Sequence, residues 1–159
     1  MALVDDVFRA QLSPETVLKE QYETADNEVL TLALALAFGF LSFVASFPRQ
    51  MAQAQDLDVP LPSVLLPSAF GALALLPLFL YVIAAFQRGI AKLLKGKGTG
   101  AKARRGVVWS MFVAVPWILL SGLVSEIAPD FLRLAIGTIA LSVFLWSWTL
   151  SIKLNEGHS

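Results

Sequence analysis

The run from Arg88 to Arg105 carries Arg88, Lys92, Lys95, Lys97, Lys102, Arg104 and Arg105, and no acid. Within it, KLLKGKGTGAKARRG sets lysines among Gly96, Gly98 and Gly100, a composition that suggests phosphate binding. The spacing rejects a nucleotide loop, which needs a glycine, four residues, then Gly-Lys-Ser/Thr. Here Gly96-Lys97 is followed by Gly98, and Ala91 stands five positions before Gly96. No strand precedes the glycines, which make a flexible turn between two helix ends. What remains is electrostatic: cations near a membrane attract anionic headgroups by about 1 kcal/mol each, less beyond a Debye length. The seven cations are therefore the candidate contact site for anionic lipid or a partner protein, with topology-setting during insertion as their simplest role.

Other chemistry is scarce. The chain has no cysteine, which excludes disulfides, thiolate metal sites and cysteine nucleophiles. His158 is the sole histidine and lies in the polar tail, so no apolar stretch offers an imidazole to a haem or chlorophyll. Met111, the alternative axial ligand, reads as packing. Glu126, Asp130 and Arg133 cluster in one connection, but Asp130 and Arg133 form an ordinary i,i+3 pair at a helix start. The apolar stretches lack ionisable groups at their centres, where ion-coupled transporters and pumps place them. No catalytic, metal or cofactor residue is expected, and no nucleic-acid contact.

The elements that must position the cations are four apolar runs at about 29–47, 63–86, 106–125 and 131–152. Each is long enough to cross a hydrocarbon core of about 30 Å as a helix. Hydrophobic residues make up 57% of the 159-residue chain, and mean hydropathy is +0.70. A soluble helix would break such runs with polar residues every third or fourth position, yet Leu30–Val44 has only Thr31 and Ser42. The expected fold is all-α: a polytopic bundle of four transmembrane helices with an amino-terminal cytoplasmic helix over residues 1–28 and a short tail over 153–159. Ten of the twelve cations fall on one side, against Arg49 and Arg133 on the other. The positive-inside rule puts that richer side, and both termini, in the cytoplasm. The acidic start lacks the pattern of a cleavable signal, so the first span is expected to direct insertion.

Finer expectations follow from single residues. Ser13-Pro14-Glu15 starts a helix, with Val17, Leu18 and Tyr22 as a narrow apolar stripe. Its acidic face, Glu20, Glu23, Asp26 and Glu28, either packs on the basic loop or stays solvated. Pro48 is expected to end the first span, ahead of a polar connector over 49–58 that could form a short interfacial helix on the outer side. Pro67, Pro77 and Pro116 should kink spans two and three, as packing features or gates. Trp109, Trp146 and Trp148 read as interfacial, and Trp117 as a packing residue. Gly39, Gly71, Gly122 and Gly137 put one small residue in each span, suited to close helix approach.

Several strings carry a family likeness: TADNEVLTLALALAFGFLSFVASFPRQ, QAQDLDVPL, LLPLFLYVIAAFQRGIAKLLKGKGTGAKARRG, VVWSMFVAVPWILLSGLV and FLWSWTLSIKLNEG. The chain resembles bacterial members of the Yip1 domain family, of the alphaproteobacterial kind, over about residues 26–157. The resemblance implies a polytopic protein of a bacterial inner membrane with a cytoplasmic amino-terminal segment. Eukaryotic members act in Golgi and endoplasmic-reticulum traffic and contact small GTPases. The family pattern usually has five spans, and four are counted here. Two functions remain: a non-catalytic organiser contacting anionic lipids or other membrane-protein subunits, or a small permease for an uncharged or lipid-like substrate. The permease would need a continuous cavity between spans two and three.

Overall fold

The computed structural model describes residues 3–157. Two short helices, α1 (Leu3–Leu12) and α2 (Pro14–Glu23), precede the first span, α3 (Glu28–Asp56). Span two comprises α4 (Leu61–Phe70), a π-helical turn (Gly71–Leu75) and α5 (Leu76–Leu93). Span three comprises α6 (Gly100–Val113) and α7 (Val115–Leu123), and span four is α8 (Asp130–Glu156). All four segments are long and apolar enough to cross a membrane. The expected four-span, all-helical architecture is therefore present. His158 lies outside the described residues.

Span three is the central element: half of its most apolar window is buried (50%), against 17% for spans two and four. α6 packs on α3, α5 and α8, while large side chains such as Leu78, Phe79, Phe86 and Leu134 remain exposed on the outer spans. In a bilayer such a belt meets acyl chains, so its exposure carries no hydrophobic penalty.

The prolines act differently from one another. Pro48 does not end the first span; α3 runs through it to Asp56, because a proline removes one donor without forbidding helix on either side. The connector expected over 49–58 is thus largely helical, and Gln50 on it donates to Ser68 Oγ across to span two at 2.6 Å. Pro77 follows the π turn: with no N–H for the Leu73 carbonyl and a ring that crowds it, the helix widens over Gly71–Leu75. Pro116 coincides with a break at Ala114 that divides span three.

Of the four span glycines, two lie at crossings. A Cβ on Gly39 would collide with the Ala72 carbonyl, and one on Gly122 with the Ala45 carbonyl. Spans one and two, and spans one and three, approach backbone to backbone at these points. Gly71 and Gly137 have open space around them and make no such crossing.

The amino-terminal helices are part of the bundle and do not rest on its surface. Val7, Val17, Leu18 and Tyr22 join a core that includes Val107, Trp109 and Phe112 of span three. The Tyr22 hydroxyl donates to the Ser151 carbonyl on α8 at 2.8 Å. α1 reaches deeper: Gln11 Nε2 donates to the Val113 carbonyl at 2.7 Å, at the Pro116 break. There Trp117 N–H turns back to the Ala114 carbonyl, leaving Val113 without its ordinary helical donor. The outward face of α1, Val4, Phe8 and Leu12, is apolar and exposed at spacings of four. The helix start at Pro14 is as expected, although Ser13 makes no side-chain cap.

Candidate functional site

The seven cations of the basic run have unlike surroundings. Arg88, near the end of α5, pairs with Glu156 near the end of α8 at 3.2 Å. Glu156 is buried and also accepts from the Gly98 N–H at 3.0 Å. The neighbouring Asn155 accepts from the Thr99 N–H at 3.0 Å and donates to the Thr99 carbonyl at 3.2 Å. The last turn of α8 therefore clamps the loop by its backbone. The turn itself is a Schellman closure, with Gly96 N–H to the Ala91 carbonyl and Lys95 N–H to the Lys92 carbonyl. Lys95, not a glycine, takes its left-handed position at φ 61°. The expectation of a flexible glycine turn gives way to a pinned one.

Arg104 forms a bidentate pair with Glu28 at the start of α3, its closest approach being 2.8 Å. Among the described residues this ion pair joins the expected acidic face to the basic run; Glu20 pairs with Arg9 instead, and Glu23 and Asp26 are exposed. Arg105 is fully buried and donates through Nη2 to the Thr24 carbonyl at 2.8 Å, at the end of α2. A cation at a helix carboxyl end meets the negative pole of the helix. Its Nε and Nη1 have no hydrogen-bond partner among the described residues. Arg105 thus belongs to the interior and cannot face lipid, a correction to its place in the contact site. Lys102 is half-buried, its ammonium 5.8 Å from the centre of the Tyr22 ring. Lys92, Lys95 and Lys97 are exposed.

The tryptophans also divide. Trp109 is buried in the core and stacked on Phe112, with ring centres 6.2 Å apart, so it is not interfacial. Trp148 donates to Gln87 Oε1 at 2.7 Å, bridging span four to span two. Trp146 is exposed. Trp117 donates to Gln11 Oε1 at 3.4 Å, which makes it the packing residue its mid-span position implied.

The permease reading required a cavity between spans two and three; on the loop side these spans pack together, α5 against α6. A cleft of about 810 Å³ lies instead between α5 and α8, near the basic loop. Among the described residues no group of three metal-ligating side chains occurs.

A loop clamped by the end of the last span, and a second helix sealed into the bundle, both fall within one continuous domain. The Yip1 domain model matches residues 12–155. The chain belongs to the Yip1 domain family. The Yip1 match takes in α2, the first three spans and the fourth as far as Asn155 of the clamp, while α1 almost wholly precedes it. No curated protein and no solved structure matches the chain.

Sequence reasoning missed Gln11, Gln87, Asn155 and Glu156. The last two had a visible signal: an amide and an acid directly after an apolar run, in a chain whose basic loop contains no acid of its own. Gln11 and Gln87 had none, because their partners are a freed carbonyl and an indole distant in sequence.

Proposed function

We propose that this Yip1 domain protein is a non-catalytic organising component of a bacterial inner membrane, with its basic loop and both termini in the cytoplasm. Its contact surface is the lysine set Lys92, Lys95 and Lys97, flanked by Lys102, and its partners are anionic headgroups or acidic faces of other membrane-protein subunits. One observation carries the reading. Arg88, Arg104 and Arg105 are spent on internal partners that fix the loop, so the lysines are presented outward on a pinned backbone. Presentation on a fixed frame lowers the ordering cost of each contact.

The test neutralises Lys92, Lys95 and Lys97 to Gln together and leaves the arginines intact. At about 1 kcal/mol per lysine near the surface, three lost charges should reduce anionic-lipid retention or partner recovery about a hundredfold. Retention is read by mass spectrometry of the protein released from mixed-lipid nanodiscs, and partner recovery by mild-detergent copurification. Unchanged recovery of both would reject the surface. Reversing Arg104 and Arg105 would be a poor test, since both changes attack the fold.

A further inference from the structure

The cleft between α5 and α8 has features that its role as a gap between spans does not explain. α6 packs against both helices, but α5 and α8 make at most marginal backbone contact with each other. Side chains cross the interval at two levels: Trp148 to Gln87, and Glu156 to Arg88. The walls are apolar, with Val82, Phe86, Ile90 and Leu94 on one side and Ile152 on the other. Lys153 lines the same cleft toward its charged end. Its volume of about 810 Å³ falls within the range of about 300–1,000 Å³ usual for small-molecule sites.

Gln87 identifies the chemistry. It lines the cleft and is only 7% exposed. The Trp148 indole can only donate, so the amide oxygen must face it and the amide nitrogen must face elsewhere. That nitrogen has no partner among the described residues. The nitrogen is itself shielded by its neighbours; because an unmade hydrogen bond from a buried donor costs about 1–3 kcal/mol, an occupant that parts the surrounding side chains and accepts there is favoured. A docking helix is a poor occupant because its mid-membrane carbonyls are already bonded internally. An ester carbonyl is free to accept.

We infer that this cleft holds a glycerophospholipid of the leaflet on the basic-loop side. One acyl chain lies along Val82, Ile83 and Phe86, an ester carbonyl accepts from Gln87 Nε2, and the phosphate lies toward Lys153. The axial spacing agrees with that order: Trp148 and Lys153 are five residues apart on α8, about 7.5 Å along the axis, with the amide level on the apolar side. The site is distinct from the exposed lysines of the loop.

The test is native mass spectrometry of full-length protein purified from its membrane, followed by exchange with defined lipids. Wild type should retain one phospholipid per chain. Ala91→Trp and, on the opposite wall, Ile152→Trp fill the cleft and should each abolish retention while helix content by circular dichroism is unchanged. Wild type should hold an ester-linked phospholipid about threefold to tenfold better than its ether-linked counterpart, which lacks the carbonyl acceptor. Gln87→Leu should erase that difference. Neutralising Lys92, Lys95 and Lys97 should leave the bound lipid in place, which separates this site from the proposed surface. The inference is overturned by any of three results: no retained lipid in wild type, retention in both filled variants, or a second copy of the chain in place of lipid.

Discussion

At the scale of residues, the most informative side chains are those doing work for which their type is unusual. Lys95 occupies a left-handed backbone position, which costs an ordinary side chain about 1–2 kcal/mol and glycine nothing. Lys95→Gly should therefore stabilise the protein by about 1 kcal/mol in reversible detergent unfolding, after the larger unfolded-state entropy of glycine is set against the relief. The same substitution removes a surface charge, so a gain in stability alongside weaker anionic-lipid retention would assign the lysine to contact over folding. Tyr22 gives a pH-dependent case. Burial pushes its phenol up to about 12. The raised value means the neutral form is favoured in the fold. The contribution is complete below the ordinary phenol value near 10 and is lost as pH rises through about 12. Thermal unfolding should show a loss of stability over that alkaline window, and Tyr22→Phe should flatten it while removing about 1 kcal/mol at neutral pH.

Among the elements, the break in span three and helix α1 form one unit. Pro116 displaces the donors of its turn, the Val113 carbonyl is left over, and Gln11 from α1 supplies the missing N–H. This is how a proline is accommodated in an apolar medium, where a free carbonyl has no water to accept from. Gln11→Leu should cost about 1–3 kcal/mol and detach α1, measured as faster protease cleavage before Pro14. Adding Pro116→Ala restores a regular donor ladder and should recover most of that stability. Failure of the second change to rescue the first would show that α1 is held by its apolar contacts alone. The spans were legible from run length because crossing a bilayer demands about 20 apolar residues whatever they pack against. Their true ends were not, since Pro48 and the polar residues after it break the hydropathy pattern without breaking the helix.

Across the whole molecule, the basic loop is where the bundle is closed. α8 reaches span two and the loop through Glu156 and Asn155, and its Ser151 carbonyl holds Tyr22 of α2, which is caught between α6 and α8. Glu156→Ala leaves Arg88 and the Gly98 N–H without their shared acceptor and should cost about 2–4 kcal/mol. Hydrogen exchange should accelerate first at Gly98 and Thr99, with mid-span amides little changed; uniform acceleration would instead make the clamp a global fold determinant. As a candidate site, the run of seven cations was visible in the sequence as a charge cluster. Which members face outward was not visible, because Arg104 and Arg105 are adjacent and identical in type yet one is part-exposed and the other buried.

Taken by itself, the sequence determined that this chain spans a membrane four times as helix and that it gathers its positive charge in one loop. Hydropathy and charge act residue by residue against a solvent that is the same at every position of a given depth, so no partner need be known. The tertiary structure decided everything that depends on which groups meet. It turned a glycine turn into a clamped one, drew an amino-terminal helix into the bundle to complete a proline break, and buried Arg105 while leaving Lys92, Lys95 and Lys97 outside. It also separated α5 from α8 around the Gln87 amide. Each is a pairing between residues far apart in the chain, and only the packed bundle brings the donors within reach of their acceptors.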